Sequence, residues 1–437
     1  MGGPEPRKSR VSHNLHCDYI SDLPDDLKHK IFSKLPIKDV VRTSILSSKW
    51  KDSWTSIPSL EFEEKSTSLA FDESSTESRL VKLVDNVLMV HYGPILKFKL
   101  VSKNPCNEAI GRWMHILSKN GIGCLELRYG GDEGCKIPSR LFSCDALKHV
   151  HLSGCIINVP QTFQGFKLLH ALSLDRFHLT GFSIGNLASC CPLLEDLTLS
   201  RFVLQGCLHI LAPNLISLNI RGEFHDLCLE TPKLSSGSIY LNSRNRDYIK
   251  YSAAKAGKRS NITRALGYLH NIQKLNVDGN FIEYLAMGPI PENLPTIFNH
   301  LTEIFVFVCG SHQEEIAAAL CLFKSAPNLK ILHIEFREYE VEDQLQVQTF
   351  WKLEATEGCL FKCLKTVDIL HVHYSVLIAE SMLEFAKLVL STSPVLEKLN
   401  IFDFVDASFF AELEDFPKLS KKSEVVSVMN DIRWLKL

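Results

Sequence analysis

Gly181-Phe182-Ser183-Ile184-Gly185 reads G-x-S-x-G, the spacing at which a sharp strand-to-helix turn lifts a serine hydroxyl clear of its backbone for nucleophilic attack. Such an elbow needs a buried strand running into it, inside a doubly wound sheet. Here the motif falls between two apolar repeats, in a stretch expected to be connecting loop, so a glycine-rich turn is preferred to a serine hydrolase acting through Ser183. Cys359, Cys363, His371 and His373 are all metal-ligand types, but C-x3-C-x7-H-x-H fits no common finger spacing, and His371 and His373 share one strand face. Buried thiols and surface histidines are expected there, with no metal. The chain has no Walker lysine loop and no dinucleotide fingerprint, so no cofactor and no catalytic residue are assigned and the chain is expected not to be an enzyme. One further cluster, Arg244, Arg246, Lys250, Lys255, Lys258, Arg259 and Arg264 against Asp247, is either a dock for an acidic or phosphorylated segment or a solvated loop, and a charge run in a long loop is more often solvated.

Composition limits what could position such groups. A chain of 437 residues exceeds one ordinary compact core unless it grows by repetition, and 45% hydrophobic with 22% charged residues describes a soluble, folded protein. A formal net charge of -2 offers no global attraction to nucleic acid or to an anionic membrane. The 14 cysteines include no C-x-x-C pair, so reduced thiols are expected in place of a disulfide framework or zinc ribbon. MGGPEPRKSR has no apolar run behind it and so is not a secretory signal, and no stretch approaches the roughly 20 apolar residues of a bilayer span. The expected location is the nucleus, the cytoplasm or both.

Residues 1–17 lack any hydrophobic period and read as a disordered tail. After them, Pro24 suits a first helical turn, and Asp25 and Asp26 complement the positive end of the helix dipole. Leu23, Leu27, Ile31 and Leu35 recur every four residues as one apolar stripe, with Lys28, His29, Lys30 and Lys34 on the other faces, until Pro36 stops the helix. A second short helix is expected from Lys38 to about Ile45, and Ser47 can cap a third that carries Trp50 and Trp54. So short and apolar a segment cannot hide every face alone; the rest of the chain or a partner must cover one.

The run ISDLPDDL followed by KLPIKDVVRTSILSSKWKDSW resembles the F-box and is especially similar to plant members, with Phe32 where leucine is commoner and Ser48-Lys49 where a basic pair is usual. The resemblance implies that Leu23, Pro24, Ile31, Leu35, Pro36, Val40 and Val41 contact a small Skp-type adaptor that bridges to a cullin. For each apolar position the alternative is a place in the module's own core, where both tryptophans are expected.

An L-x-x-L-x-L core then recurs from Ile122, Leu147, Leu169, Leu194 and Leu215, the starts advancing by 25, 22, 25 and 21 residues, within the leucine-rich-repeat window. Copies starting at Ile272, Leu301, Leu329, Leu364 and Leu396 are spaced more widely, as though insertions lengthen the convex side. The segment from CLFKCLKTVDI to VLEKLNIF, followed by FPKLSKKSEVVSV, resembles the FBD region of many plant F-box proteins, with HVHYSVL departing from it. The expected architecture is α/β: an N-terminal helical F-box followed by an irregular leucine-rich-repeat solenoid, a curved parallel sheet with convex helices and loops. Its expected divisions are tail 1–17, F-box 18–60, linker and N-terminal cap of the repeats 61–120, solenoid 121–402 with 359–402 FBD-like, and C-terminal cap 403–437.

Alternation along each strand places the non-leucine positions on the concave face. They form a polar floor of His149, His151, Ser153, Ser173, Asp175, Asp196, Thr198, Ser200, Asn219 and Arg221, and further on Glu303, Phe305, Phe307, His333, Glu335, Lys398, Asn400 and Phe402. Exposed phenylalanines among charges make Phe305, Phe307, His333, Glu335, Asn400 and Phe402 the expected target-binding set; a register slip would instead bury the rings. The function implied is that of the substrate-recognition subunit of a Skp-cullin-F-box ubiquitin ligase, holding a target near a thioester carried by another protein. A scaffold outside any ligase, or a ligase receptor with a small-molecule co-ligand, are the other readings.

Overall fold

A computed structural model describes residues 19–45, 47–64, 73–180, 183–224, 226–241, 262–286, 294–310, 312–337, 351, 360–371, 376–402 and 407–429. Two short helices, α1 (Asp25–Phe32) and α2 (Ile37–Arg42), precede a long parallel sheet. Its strands are β1 (Ser59–Glu63), β2 (Lys97–Ser102), β3 (Cys124–Tyr129), β4 (Cys135–Ile137), β5 (His149–Asn158), β6 (Ala171–Thr180), β7 (Asp196–Val203), β9 (Ser217–Glu223), β11 (Ser236–Leu241), β12 (Lys274–Val277), β13 (Glu303–Cys309), β14 (Ile331–Arg337), β15 (Thr366–His371), β16 (Lys398–Phe402) and β17 (Glu424–Val428). They pair in chain order, with β4 set beside β5, and a separate two-stranded sheet joins β8 (Cys207–Leu211) to β10 (Asp226–Glu230). The α/β repeat architecture expected from the sequence is therefore the observed one.

Each repeat builds itself from the same elements. The first apolar residue of L-x-x-L-x-L sits in the turn before the strand, and the other two point inward from it. Leu147, Val150 and Leu152, then Leu169, Leu172 and Leu174, are all nearly inaccessible. Asparagine immediately before the first apolar residue ties neighbouring turns together: Asn214, Asn271 and Asn328 each donate from Nδ2 to a carbonyl of the preceding turn at 2.8 Å. This gives a physical role to the asparagines at these repeat boundaries, since an amide can satisfy a turn carbonyl that the ladder leaves over.

The ladder begins earlier than the leucine spacing indicates. Ser59–Glu63, expected to straddle the F-box and a linker, is β1, and it pairs in register with β2. Leu60, Phe62, Phe98 and Leu100 fill the inward positions there, so phenylalanine does the work of leucine and hides the pattern. A second strand, β11, lies where the irregular insertion was expected to begin. Gly237 occupies the middle leucine position and pairs with both Leu218 and Leu275. A Cβ there would lie 3.4 Å from Ile272 Cδ1 and 3.7 Å from Leu275 Cδ1, so neighbouring side chains occupy the room a leucine would take. Of the basic cluster in that insertion, only Arg264 is among the described residues, in the helix Ile262–Leu266. The tail 1–17 also lies outside them.

In the wider C-terminal repeats, the helices Gln313–Lys324 and Val376–Thr392 occupy the connections, and their buried faces, including Phe323 and Phe385, close the core opposite the strands. In the narrower repeats, each strand passes through one left-handed residue, beyond which the ladder resumes: Gly154 (φ 67°) in β5, Arg176 (φ 44°) in β6 and Arg201 (φ 52°) in β7. A Cβ on Gly154 would stand 2.4 Å from the Tyr129 carbonyl oxygen. Gly154→Ala is therefore expected to lower stability by about 1–3 kcal/mol, visible as a lower midpoint in chemical denaturation; an unchanged midpoint would contradict the close approach.

Candidate functional site

Helix α1 buries the face opposite its apolar stripe. Phe32, 2% exposed, packs edge-on against Trp50 with ring centroids 5.4 Å apart, and this contact sets the rotation of the helix. Lys28 lies on the same inner face at 6% exposure, its Nζ 3.2 Å from Asp25 Oδ1 and 3.4 Å from both the Lys49 carbonyl and Ser53 Oγ. The consequence is that the apolar stripe points outward: Leu27, Ile31 and Leu35 are 44%, 40% and 39% exposed, with Leu23 half-buried beside them. Together with Lys30 and Lys34 they line a shallow open groove. Inverting an amphipathic helix in this way leaves apolar surface in water that a chain folding alone would bury first.

The sequence-predicted adaptor residues divide accordingly. Leu23, Pro24, Ile31, Leu35 and Pro36 lie at this surface, Pro24 and Pro36 exposed. Val40 does not: at 1% exposure it belongs to the core, so its assignment as a contact is corrected. Val41 is half-buried and packs against that core, as Trp50 and Trp54 do from within it. Helix α2 turns Val40 inward because Pro36 redirects the chain, which the four-residue stripe of α1 does not reveal.

The second surface is the face of the sheet opposite the leucine core. Its register sets out a row of side chains lying between the two inward strand positions of each repeat: Thr198, Asn219, Ser238, Asn276, Phe305, His333, Asp368 and Asn400. His333 Nδ1 lies 2.8 Å from Asp368 Oδ2, and Asn400 Nδ2 donates to the other oxygen at 2.7 Å. Phe305 leans on the His333 ring at 6.0 Å. In the row beyond, the Phe307 ring is only 6% exposed, yet its neighbours Val306 and Val308 fill the core, so no register slip has occurred. It is covered from the open side: Arg337 stacks on it at 4.0 Å, Phe305 meets it edge-on at 4.9 Å and Tyr240 at 6.3 Å. Glu335, 2% exposed, accepts from Arg337 Nε at 2.9 Å. Burial raises its carboxyl above the usual carboxylate range against the pull of Arg337. The expectation of exposed phenylalanines is thus corrected, since Phe305 and Phe402 are half-buried and Phe307 is buried. Tyr240, Arg337 and Asp368 were missed; the alternation that found His333 finds Asp368 when applied to the copy at Leu364.

Toward the N-terminal repeats the floor is polar as expected, and one carboxylate organises it. Asp175, 7% exposed, accepts from Ser153 Oγ at 2.8 Å, Ser200 Oγ at 2.7 Å and Arg201 Nε at 2.7 Å. Burial acts to raise its pKa, but these hydrogen bonds outweigh burial and hold the carboxyl below its usual range. His151 Nδ1 lies 2.8 Å from Ser173 Oγ, and burial, then Arg128, lowers the pKa of the ring.

Ser183 is the N-cap of the short helix α3 (Ile184–Ser189), accepting from Asn186 N at 3.0 Å with φ -83° and ψ 156°. Gly185 is required by packing, because a Cβ there would lie 2.3 Å from the His209 carbonyl oxygen. Cap and close approach account for two positions of the G-x-S-x-G motif; Gly181 and Phe182 lie outside the described residues. Cys359 and His373 also lie outside them, while Cys363 precedes β15 and His371 ends it, so a strand length separates the two.

Comparison with known proteins gives two family matches: the F-box domain over residues 20–62, and the leucine-rich repeats of FBD-associated F-box protein At5g56370 over residues 110–334. The chain is similar to the F-box/FBD/LRR-repeat protein At1g13570 of Arabidopsis thaliana, at 35% identity covering 94% of this chain and 98% of the relative. It is also similar to At5g56420 of the same plant, likewise an F-box/FBD/LRR-repeat protein, at 26% identity over 78% and 82% of the two chains.

The Asp175 knot makes a pH prediction. A carboxyl held low in the folded state contributes stability that is present above its unfolded pKa, about 3.9, and is lost as pH falls through the folded value. Asp175→Asn should therefore be less stable than wild type at pH 7 in urea denaturation, with the gap narrowing below about pH 4. A gap that does not change with pH would show that the charge is not what holds the knot.

Proposed function

The chain belongs to the F-box/FBD/LRR-repeat family, and from that premise we propose that it is the substrate-recognition subunit of a Skp-cullin-F-box ubiquitin ligase. The F-box supports an adaptor role, and the observation that carries the finer reading is the inverted helix α1. Leu27, Ile31 and Leu35 stand in water while Lys28 is buried, an arrangement that becomes favourable once a Skp-type partner covers the stripe. Leu23, Pro24, Ile31, Leu35 and Pro36 are the proposed contacts, with Leu27 added and Val40 and Val41, which pack in and against the core, left out.

The repeats then hold a protein target, and no side chain of this chain needs to react. Bringing a target close to a thioester carried elsewhere in the complex raises its effective concentration, which is sufficient for transfer. The proposed target surface is the open face around Phe305, His333, Asn400 and Phe402, with Arg337 and Glu335 as the charged pair above Phe307. A rigid aromatic platform bordered by paired charges loses little side-chain entropy on binding. No helix among the described residues is long and apolar enough to cross a membrane.

Ile31→Ala combined with Leu35→Ala should weaken binding of a Skp-type adaptor by on the order of 2 kcal/mol in calorimetry, with the melting temperature unchanged. Val40→Ala should do the reverse, lowering the melting temperature by loss of core packing. Wild-type affinity in the double variant would overturn the adaptor assignment.

Phe305→Ala with His333→Ala tests the target face. Proteins recovered with wild type in quantitative affinity purification should be lost, with adaptor recovery unchanged. Retention of the same proteins would move the target site off this face.

A further inference from the structure

Strands β8 and β10 form a small parallel sheet that the leucine pattern does not predict. Leu208, Ile210, Leu227 and Leu229 bury its inner face. The outer face carries Cys207 and His209 on one strand and Cys228 on the other, Cys228 lying directly opposite His209. The two sulfurs are 3.2 Å apart, and both, with an imidazole nitrogen of His209, lie within 4.8 Å of one another. We propose that Cys207, His209 and Cys228 bind zinc(II), with the fourth position open to a cavity of about 510 Å³ between this sheet and α3.

The chemistry of the donor set fits. Two thiolates and an imidazole are preferred zinc ligands, and a tetrahedral ion with Zn–S near 2.3 Å holds its sulfurs roughly 3.8 Å apart. Small torsional adjustments of half-buried side chains supply that separation. The backbone beneath is held in place: β8 and β10 are in register over five pairs, and the His209 carbonyl is pressed against Gly185 of α3. A disulfide fits less well, because Cys207 pairs with Asp226 and stands diagonal to Cys228. Diagonal neighbours have Cα atoms about 7–8 Å apart, beyond the usual reach of a disulfide. On binding, two thiol protons pass to solvent and two Zn–S bonds form, with no change of oxidation state. Glu230 lies on the cavity wall one alternation beyond Cys228, so a carboxylate is at hand beside the open position.

The test is a titration of the full chain, reduced with a phosphine, by cobalt(II) as the spectroscopic probe and then by zinc(II) in competition. Saturation at one equivalent is expected, with the visible bands of a tetrahedral site and near-ultraviolet thiolate charge transfer, both abolished by zinc. Cys228→Ser should weaken binding by at least about 100-fold, and His209→Ala, whose side chain is exposed and whose loss leaves the strand intact by circular dichroism, by at least about tenfold. Cys124→Ser, in β3, should bind as wild type. The proposal is overturned by the absence of a saturable site, by equal affinity in Cys228→Ser, or by a loss of two mass units on isolation that marks a Cys207–Cys228 disulfide.

Discussion

Parallel strands held at one register force every repeat to repeat the same alternation, and the rest of the molecule is arranged around that constraint. A slip of one residue would exchange the buried leucines for the polar set on the other face. Apart from a bulge at Arg201 near the end of β7, the register holds from β1 to β17 through inward residues as different as Phe62, Gly237 and Val425. It is why His333, Asp368 and Asn400, drawn from three consecutive repeats, meet in one hydrogen-bonded row. It is also why Phe307 can be buried without joining the core: the ladder fixes its side of the sheet, and Arg337 and Tyr240 cover it there.

How much of this was legible depended on which residue carried the signal. Leucine at fixed spacing announced the repeats from Ile122 to Leu215, and alternation correctly placed Asp175, Ser200 and His151 on the open face. The strands missed were β1, where phenylalanine takes one of the two inward positions, and β11, where glycine takes the middle one, because the template reads identity while the core reads volume. Exposure was less legible than direction. A strand pattern says which face a ring takes, but not whether an arginine two residues along the next strand will lie over it. The sheet of β8 and β10 was missed altogether, since its strands are short and carry C-x-H where a search for C-x-x-C finds nothing.

The same distinction governs the F-box. The four-residue stripe was plain in the sequence; its orientation was not, because a stripe looks alike whether it faces a core or a partner. Orientation comes from tertiary contacts, with Phe32 against Trp50 on one side and Lys28 tied to Asp25, Lys49 and Ser53 by hydrogen bonds that compensate its burial. Val40, one helix later, shows the converse, an apolar residue whose family role suggested a contact and whose packing makes it core. The two interaction surfaces therefore rest on different supports: the helical stripe on a few aromatic and polar contacts, the open face on the whole ladder.

The central claim is that one chain presents two separate protein-binding surfaces, the outward stripe of α1 for an adaptor and the open face of the repeats for a target. Hydrogen exchange of the full chain with and without a Skp-type adaptor tests it most directly. Bound adaptor should slow exchange in residues 23–36 and leave the strands carrying Phe305, His333 and Asn400 unchanged. Protection of those strands by the adaptor, or none in residues 23–36, would contradict it.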